Sequence, residues 1–196
     1  ALSYTWTDTS GATLGSTDSL ILTPSLTKPN ESITCTVTAT DAYSGTDSDS
    51  ARVTVENTNP AIDSISVTPN SGVTTSERLT CIATASDPDG GSPTITYAWT
   101  NGDGATLGTG NILDLTPTTV VPGDTVICEA TATDADTGAA SDTASVSVVN
   151  TDPIINAVNI TPSSGVTSST ALTCSATATD ADGGSPSLSY AWSTAG

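Results

Sequence analysis

Histidine, methionine and phenylalanine are absent from this chain of 196 residues, and lysine and arginine together contribute only three residues. Without histidine, the chain lacks the side chain that most often acts as a general acid or base and as a metal ligand. The three basic residues, Lys28, Arg52 and Arg78, form no cluster. Because binding to nucleic acid or to an anionic membrane depends on clustered positive charge, we expect no nucleic acid partner and no direct membrane contact.

Catalytic motifs are also missing. The sequence offers no candidate for an activated nucleophile and no glycine-rich phosphate loop. Paired aspartates can act as acid and base, but an active site that recurs in every repeat of a chain would be unusual. We therefore expect that the protein is not an enzyme.

The charge is strongly acidic: 21 acidic residues against three basic ones give a formal net charge of -18. Four cysteines in an acidic chain rich in serine and threonine favour an oxidising location, either extracellular or at the cell surface. No apolar run approaches the length of a transmembrane helix, and no signal peptide is visible at Ala1. Either such segments were removed, or the chain is an interior piece of a longer protein.

The sequence repeats at an offset of 93 positions, which separates Cys35 from Cys128 and Cys81 from Cys174. Other segments recur at the same offset, with no insertion or deletion: Tyr4 and Trp6 as Tyr97 and Trp99 and again as Tyr190 and Trp192, Gly11–Gly15 as Gly104–Gly108, and Asn57–Pro60 as Asn150–Pro153. A fixed period of this length indicates an array of equivalent domains.

Only one choice of repeat boundaries places a Cys–Trp–Cys set inside a single repeat. With this choice the repeat begins at Asn59 and ends near Thr151. It predicts a complete repeat over residues 59–151, which we call the middle repeat. Residues 1–58 are then the C-terminal part of one repeat, and residues 152–196 are the N-terminal part of a third.

Short segments of alternating apolar and polar residues, bounded by Gly, Pro and Asp turns, predict about seven strands in the middle repeat and no amphipathic helix. The fold class is therefore all-β: tandem immunoglobulin-like β-sandwich repeats with a 93-residue period. Tyr97 and Trp99 alternate on one predicted strand, so we expect them to pack in the core rather than to form a sugar-binding platform.

The order Cys81, Trp99, Cys128 resembles the immunoglobulin-like sandwich, in which one disulfide joins strands B and F beside a buried tryptophan. The resemblance implies a bond between Cys81 and Cys128. By the repeat, Cys35 and Cys174 would be paired outside the chain. One alternative is exchange between subunits, in which residues 152–196 of one chain complete residues 1–58 of the next. The two ends together exceed one repeat and duplicate part of it, which a segment of a continuous array explains better.

A second resemblance lies in Trp99–Gly104, preceded by Asp87–Gly91 and followed by Cys128–Asp134. These segments resemble the turn, the upstream loop and the final strand of PKD-type and related bacterial immunoglobulin-like repeats. Asn101 stands where that family has Phe, and the cysteine pair is not a usual PKD feature. The resemblance implies a spacer or interaction module in a large secreted or surface protein.

Carboxylate and amide side chains are expected to converge where consecutive repeats meet. For the first junction they are Asn57, Asn59, Asp87, Asp89, Asp134 and Asp136, and for the second Asn150, Asp152, Asp180 and Asp182. Oxygen ligands of this kind suit Ca²⁺, so a calcium ion is predicted as the cofactor. The alternative is that these residues only form turns. In the first copy Tyr43 stands in place of Asp136, which weakens the calcium prediction.

Together these features predict a structural segment of an extracellular stalk, fibre or filament, stiffened by disulfides within domains. If the junction residues bind calcium rather than only form turns, calcium would stiffen the junctions between domains as well. Its partners would be neighbouring identical repeats or subunits. The alternative is a module of a surface adhesin or secreted hydrolase that binds a glycan or a surface protein. The loops Asp87–Pro93 and Asp180–Pro186 are similar, which argues against separate specificities in each copy.

Overall fold

The regular secondary structure in the computed structural model, which describes residues 1–194, consists of β-strands. Within that range no helix is present, and none could therefore span a membrane. The strands are β1 (Leu2–Thr7), β2 (Thr13–Gly15), β3 (Ser32–Thr40), β4 (Thr46–Thr54), β5 (Ala61–Thr68), β6 (Arg78–Ser86), β7 (Thr94–Asn101), β8 (Thr106–Thr109), β9 (Ile112–Asp114), β10 (Thr125–Thr133), β11 (Ala139–Ser147), β12 (Ile154–Thr161) and β13 (Thr173–Thr179). The predicted all-β fold is confirmed.

The strands form sheets in the orders β2-β1-β3-β4, β5-β6-β9, β11-β10-β7-β8 and β12-β13. In the middle repeat, β5-β6-β9 and β11-β10-β7-β8 correspond to the A-B-E and G-F-C-C′ sheets of an immunoglobulin-like sandwich. The sheet β2-β1-β3-β4 is the counterpart of β8-β7-β10-β11 at the 93-residue offset, and β12-β13 is the counterpart of β5-β6. The same sandwich halves therefore recur along the chain.

The chain divides into two compact units, and the boundaries between them fall within strands of the middle repeat. The first unit comprises Ala1–Ile65, Ala83–Thr96 and Ala130–Asp142; the second comprises Ser66–Ile82, Tyr97–Glu129 and the described residues from Thr143 onward. The repeat boundaries at 58/59 and 151/152 remain a prediction, and the last two residues of the third predicted repeat lie outside the described range.

In the second unit, alternation along the strands places apolar side chains in the core. Leu79, Val126 and Trp99 are fully buried on β6, β10 and β7, because every second side chain of a strand points to the same face. The Trp99 indole N–H donates a hydrogen bond to the Gly110 carbonyl at 2.8 Å. Within the described range, Trp99 is thus the one aromatic ring in a core whose other buried side chains are mainly aliphatic. Tyr97 stays partly exposed.

The first unit repeats this tryptophan geometry without the disulfide. Trp6 on β1 lies opposite Cys35 on β3, and the Trp6 indole N–H donates to the Thr17 carbonyl at 2.8 Å. Thr17 and Gly110 are equivalent at the repeat offset. The anchoring of the tryptophan is therefore a property of the repeat.

A disulfide joins Cys81 on β6 to Cys128 on β10, with an S–S distance of 2.07 Å and a Cα–Cα distance of 6.5 Å. Both half-cystines are fully buried. Because β6 and β10 belong to different sheets, the bond fastens the two layers of the sandwich together.

Replacing Cys81 and Cys128 together by Ala should lower the free energy of unfolding of the middle repeat by about 4 kcal/mol, because the bond closes a loop with a sequence separation of 47 residues. Urea unfolding monitored by tryptophan fluorescence measures the loss. The matched control is the pair Cys35→Ala and Cys174→Ala, whose thiols are free, and it should leave the unfolding midpoint nearly unchanged. Equal losses in both pairs would contradict the assignment.

Candidate functional site

Two loops of the first unit meet the segment between the first and middle repeats, residues 56–60, which we call the first linker. The loop after β6 carries Asp87 and Asp89, and the loop between β10 and β11 carries Asp134 and Asp136. These four aspartates, together with Lys28, line a cavity of about 340 Å³. The structure therefore brings the predicted carboxylates of the first junction to one place.

Each loop is closed by its own first aspartate. Asp87 Oδ1 accepts a hydrogen bond from the Asp89 amide at 2.9 Å. Asp134 Oδ1 accepts from the amides of Asp136 and Gly138 at 2.9 and 2.7 Å. These are Asx-turns, in which a carboxylate caps the backbone ahead of it, so the turn-forming role considered from the sequence is present.

The remaining carboxylate oxygens reach residues outside the loops. Asp134 Oδ2 accepts from Asn57 Nδ2 at 3.0 Å, and Asp89 Oδ2 accepts from the backbone amide of Thr58. Both donors lie in the first linker. The loops are thus tied to the linker by hydrogen bonds to charged acceptors, which are stronger than bonds between neutral groups.

The first repeat contributes a donor of its own. Asn30 Nδ2 donates to Asp136 Oδ1 at 2.9 Å. Beside it, the Lys28 ammonium donates to the Pro24 carbonyl at 3.0 Å and places one of the few cations of the chain at the edge of the acidic cavity. Sequence reasoning missed Asn30, because its counterpart in the next repeat is Gly123 and the repeat gives no signal there.

Gly138 is enclosed by the polar side chains of the first linker. A methyl group on Gly138 would clash with Asp134 Oδ2, and it would lie 2.6 Å from Asn57 Nδ2 and 2.7 Å from Asn59 Oδ1. Three of the predicted site residues therefore converge on a position where only glycine fits. Asn57 Oδ1 is a buried oxygen that has no hydrogen-bond partner.

The second unit holds an equivalent of the Thr58–Asp89 contact at residues 149–153, the second linker. The Thr151 amide donates to Asp182 Oδ2, as the Thr58 amide donates to Asp89 in the first unit. Asp180 Oδ1 accepts from the Asp182 amide at 2.9 Å, which repeats the turn of the first unit. Asn150 and Asp152, also predicted from the sequence, remain exposed.

Two contacts near the linkers were not predicted. Thr75 is fully buried, and its hydroxyl donates to Asp182 Oδ1 at 2.8 Å. A proline packs against the loop glycine in both units: a Cβ on Gly90 would lie 3.4 Å from Pro24 Cβ, and a Cβ on Gly183 would lie 3.4 Å from Pro117 Cβ. The recurrence of this proline at the repeat offset was a signal in the sequence, although its partner was not apparent.

Within residues 1–194, no group of three or more Asp, Glu, Cys or His side chains is arranged to hold a metal ion. Several oxygens that would face such an ion already accept hydrogen bonds, among them both oxygens of Asp134. The unpartnered oxygen of Asn57 is the feature that fits a cation. Calcium therefore remains a prediction.

Comparisons with known proteins identify no family for this chain. No protein-family model matches the chain, and no curated protein matches it significantly. Among solved structures, the chain is similar to the crystal structure of a tetra-tandem repeat in the extending region of a large adhesion protein, with 19% identity and a TM-score of 0.36. The match covers 93% of this chain and 56% of that one, so this chain spans little more than half of its length. Similarity at this level carries no conclusion about either fold or function.

The Asn57 hydrogen bond holds the pKa of Asp134 below its ordinary value of 3.8; burial opposes this shift, and the amides of Gly138 and Asp136 reinforce it. Because the pKa is lower in the folded chain, the stabilisation is present above about pH 4 and is lost as the pH falls through the folded pKa. Asn57→Ala should raise the Asp134 pKa toward 3.8, as measured by NMR titration. Asp8, whose pKa is lowered chiefly by Ser10, serves as the control and should not move. An unchanged Asp134 pKa would refute the assignment.

Proposed function

We propose that this chain is a structural segment of an extracellular array, in which each linker is fixed by hydrogen bonds to the loops of the following repeat. The observation that carries the proposal is a recurring pair of contacts. In both units a linker amide, of Thr58 or Thr151, donates to the equivalent aspartate, Asp89 or Asp182. In both, a proline also packs on the neighbouring glycine. Identical local contacts at successive linkers are what a spacer with uniform repeats requires.

The mechanical role follows from how the linkers are held. A linker with no side-chain contacts would leave neighbouring domains free to reorient. Here Asn57 and Thr58 bond to different loops, so rotation about the linker backbone would break at least one hydrogen bond to a carboxylate. The proposal assigns no catalytic step to any residue.

An extracellular or surface location is part of the proposal. The disulfide of the middle repeat supports it, because such bonds persist in oxidising compartments and are rare in reducing ones. The acidic net charge suits a surface that must remain soluble and avoid self-association through its charged faces.

The alternative of a glycan-binding module receives less support. Aromatic side chains that bind sugars must be accessible, and Trp99 of the complete repeat is fully buried. Its indole N–H is also already bonded to Gly110. The tryptophan of the complete sandwich therefore acts as a core residue.

A test of the proposal compares backbone motion on the two sides of the first linker. In the native chain, ¹⁵N relaxation of β3 and of residues 83–86 should give the same rotational correlation time. The double variant Asn57→Ala and Asp89→Ala removes one bond to each loop and should make the two times differ. The matched control, Asn70→Ala and Asp103→Ala, alters an exposed asparagine and an exposed aspartate of the second unit and should leave them equal. Unequal times already in the native chain would overturn the proposal.

Calcium is the second candidate for what stiffens the linker, and the unpartnered Asn57 oxygen favours it. If calcium binds there, millimolar Ca²⁺ should raise the thermal midpoint above that in chelator by several degrees, and Asn57→Ala should abolish the rise. Equal midpoints in Ca²⁺ and chelator would reject calcium and leave the hydrogen bonds as the means of fixing the linker.

A further inference from the structure

Thr75 lies in the segment between β5 and β6, and its side chain is fully buried. Its hydroxyl donates to Asp182 Oδ1 at 2.8 Å, although the two residues are 107 positions apart. Asp182 belongs to the loop after β13, in the third predicted repeat. A buried hydroxyl costs free energy unless it forms a hydrogen bond, so the burial of Thr75 depends on a partner from the next repeat.

The proton of the Thr75 hydroxyl has two acceptors within reach. The Ala181 carbonyl oxygen lies 3.4 Å from the hydroxyl oxygen, and Asp182 Oδ1 lies 2.8 Å from it. The shorter distance and the negative charge of the carboxylate favour Asp182. Both acceptors belong to the same loop, so the hydroxyl bonds to that loop in either case.

The second oxygen of the same carboxylate is bonded to the second linker. Asp182 Oδ2 accepts from the Thr151 amide, so Thr75 and Thr151 are joined through one side chain. A carboxylate that is held at one oxygen has less freedom to rotate, which favours the bond at the other oxygen. The buried hydroxyl thus orients the group that holds the linker.

A glycine follows the aspartate and completes the contact. Gly183 has a φ of 89°, a conformation that side chains disfavour, and a Cβ there would lie 3.4 Å from Pro117 Cβ. In the first unit Gly90 has a φ of 85° and the same distance to Pro24 Cβ. In both units the loop therefore presents an aspartate followed by a glycine that packs on a proline.

We propose that Thr75, Pro117 and Thr151 form an interaction surface that recognises an Asp-Gly pair in the loop of the following repeat, and that Thr75 is the positioning residue that orients the aspartate. The partner is another repeat with this loop, which Asp182 and Gly183 exemplify in this chain. The proposal rests on the proposed function, because it names what holds the second linker besides the Thr151 amide. At the repeat offset Ser168 takes the place of Thr75, so the hydroxyl recurs.

Hydrogen exchange of the Thr151 amide measures the effect of Thr75, because Asp182 protects that amide. Thr75→Val removes the hydroxyl and keeps the branched shape, and exchange of the Thr151 amide should become about tenfold faster. Thr75→Ser retains the donor and should stay within about threefold of the native rate. Thr74→Val makes the same change in the adjacent half-buried residue and should alter the rate less than about twofold.

A double variant separates an action through Asp182 from an action by packing alone. Asp182→Ala removes the carboxylate and should accelerate exchange of the Thr151 amide about tenfold or more. Adding Thr75→Val to it should then change the rate less than about twofold, because the hydroxyl has lost the carboxylate through which it acts. Rates that multiply in the double variant would mean independent effects and would overturn the role of Thr75.

Two other outcomes would also overturn it: an unchanged Thr151 rate in Thr75→Val, or a rate in Thr75→Ser as fast as in Thr75→Val. Urea unfolding followed by tryptophan fluorescence shows which variants fold; if Thr75→Val does not, Thr75→Ala is compared with Thr75→Ser in the same way. The relaxation test of the first linker alters neither Thr75 nor Asp182, so it can succeed while this proposal fails. Unequal correlation times in the native chain would overturn the mechanical role of the linkers, whatever the exchange rate of Thr151.

Discussion

Aspartate side chains that accept hydrogen bonds from N–H groups of the linkers, either side-chain or backbone, hold both linkers in place. Asp134 illustrates the principle: one oxygen closes its own loop, and the other accepts from Asn57 in the linker. A single carboxylate therefore couples the shape of a loop to the position of a neighbouring segment. The chain has very few cations with which to pair its carboxylates, and main-chain and amide N–H groups take over that role.

The sandwich core buries little apolar area, so its stability depends on a few specific residues. Small side chains give limited apolar area, and the protein compensates with one buried indole and one covalent bond between sheets. The indole is oriented by a hydrogen bond to a main-chain carbonyl in both Trp6 and Trp99. The same anchoring occurs in the first unit, where Cys35 forms no disulfide within this chain.

The strands and the closeness of the loops to the linker could be predicted, because alternation and turn residues are local signals. The role of Asn57 could not, since an amide side chain carries both an acceptor and a donor and the sequence does not say which faces the carboxylate. The structure presents the nitrogen to Asp134 and buries the oxygen. The contacts of Asn30 and Thr75 could not be predicted either, because their partners lie more than a hundred positions away in the chain.

The proline–glycine contact at each linker has a consequence for how such a gene can change length. Pro24 meets Gly90, and Pro117 meets Gly183, so the middle repeat supplies a glycine to the contact behind it and a proline to the contact ahead. Unequal recombination that adds or removes a whole repeat preserves every such contact. A deletion of part of a repeat that removes the proline or the glycine breaks the pairing at one linker, so changes by whole repeats are the ones that keep every contact.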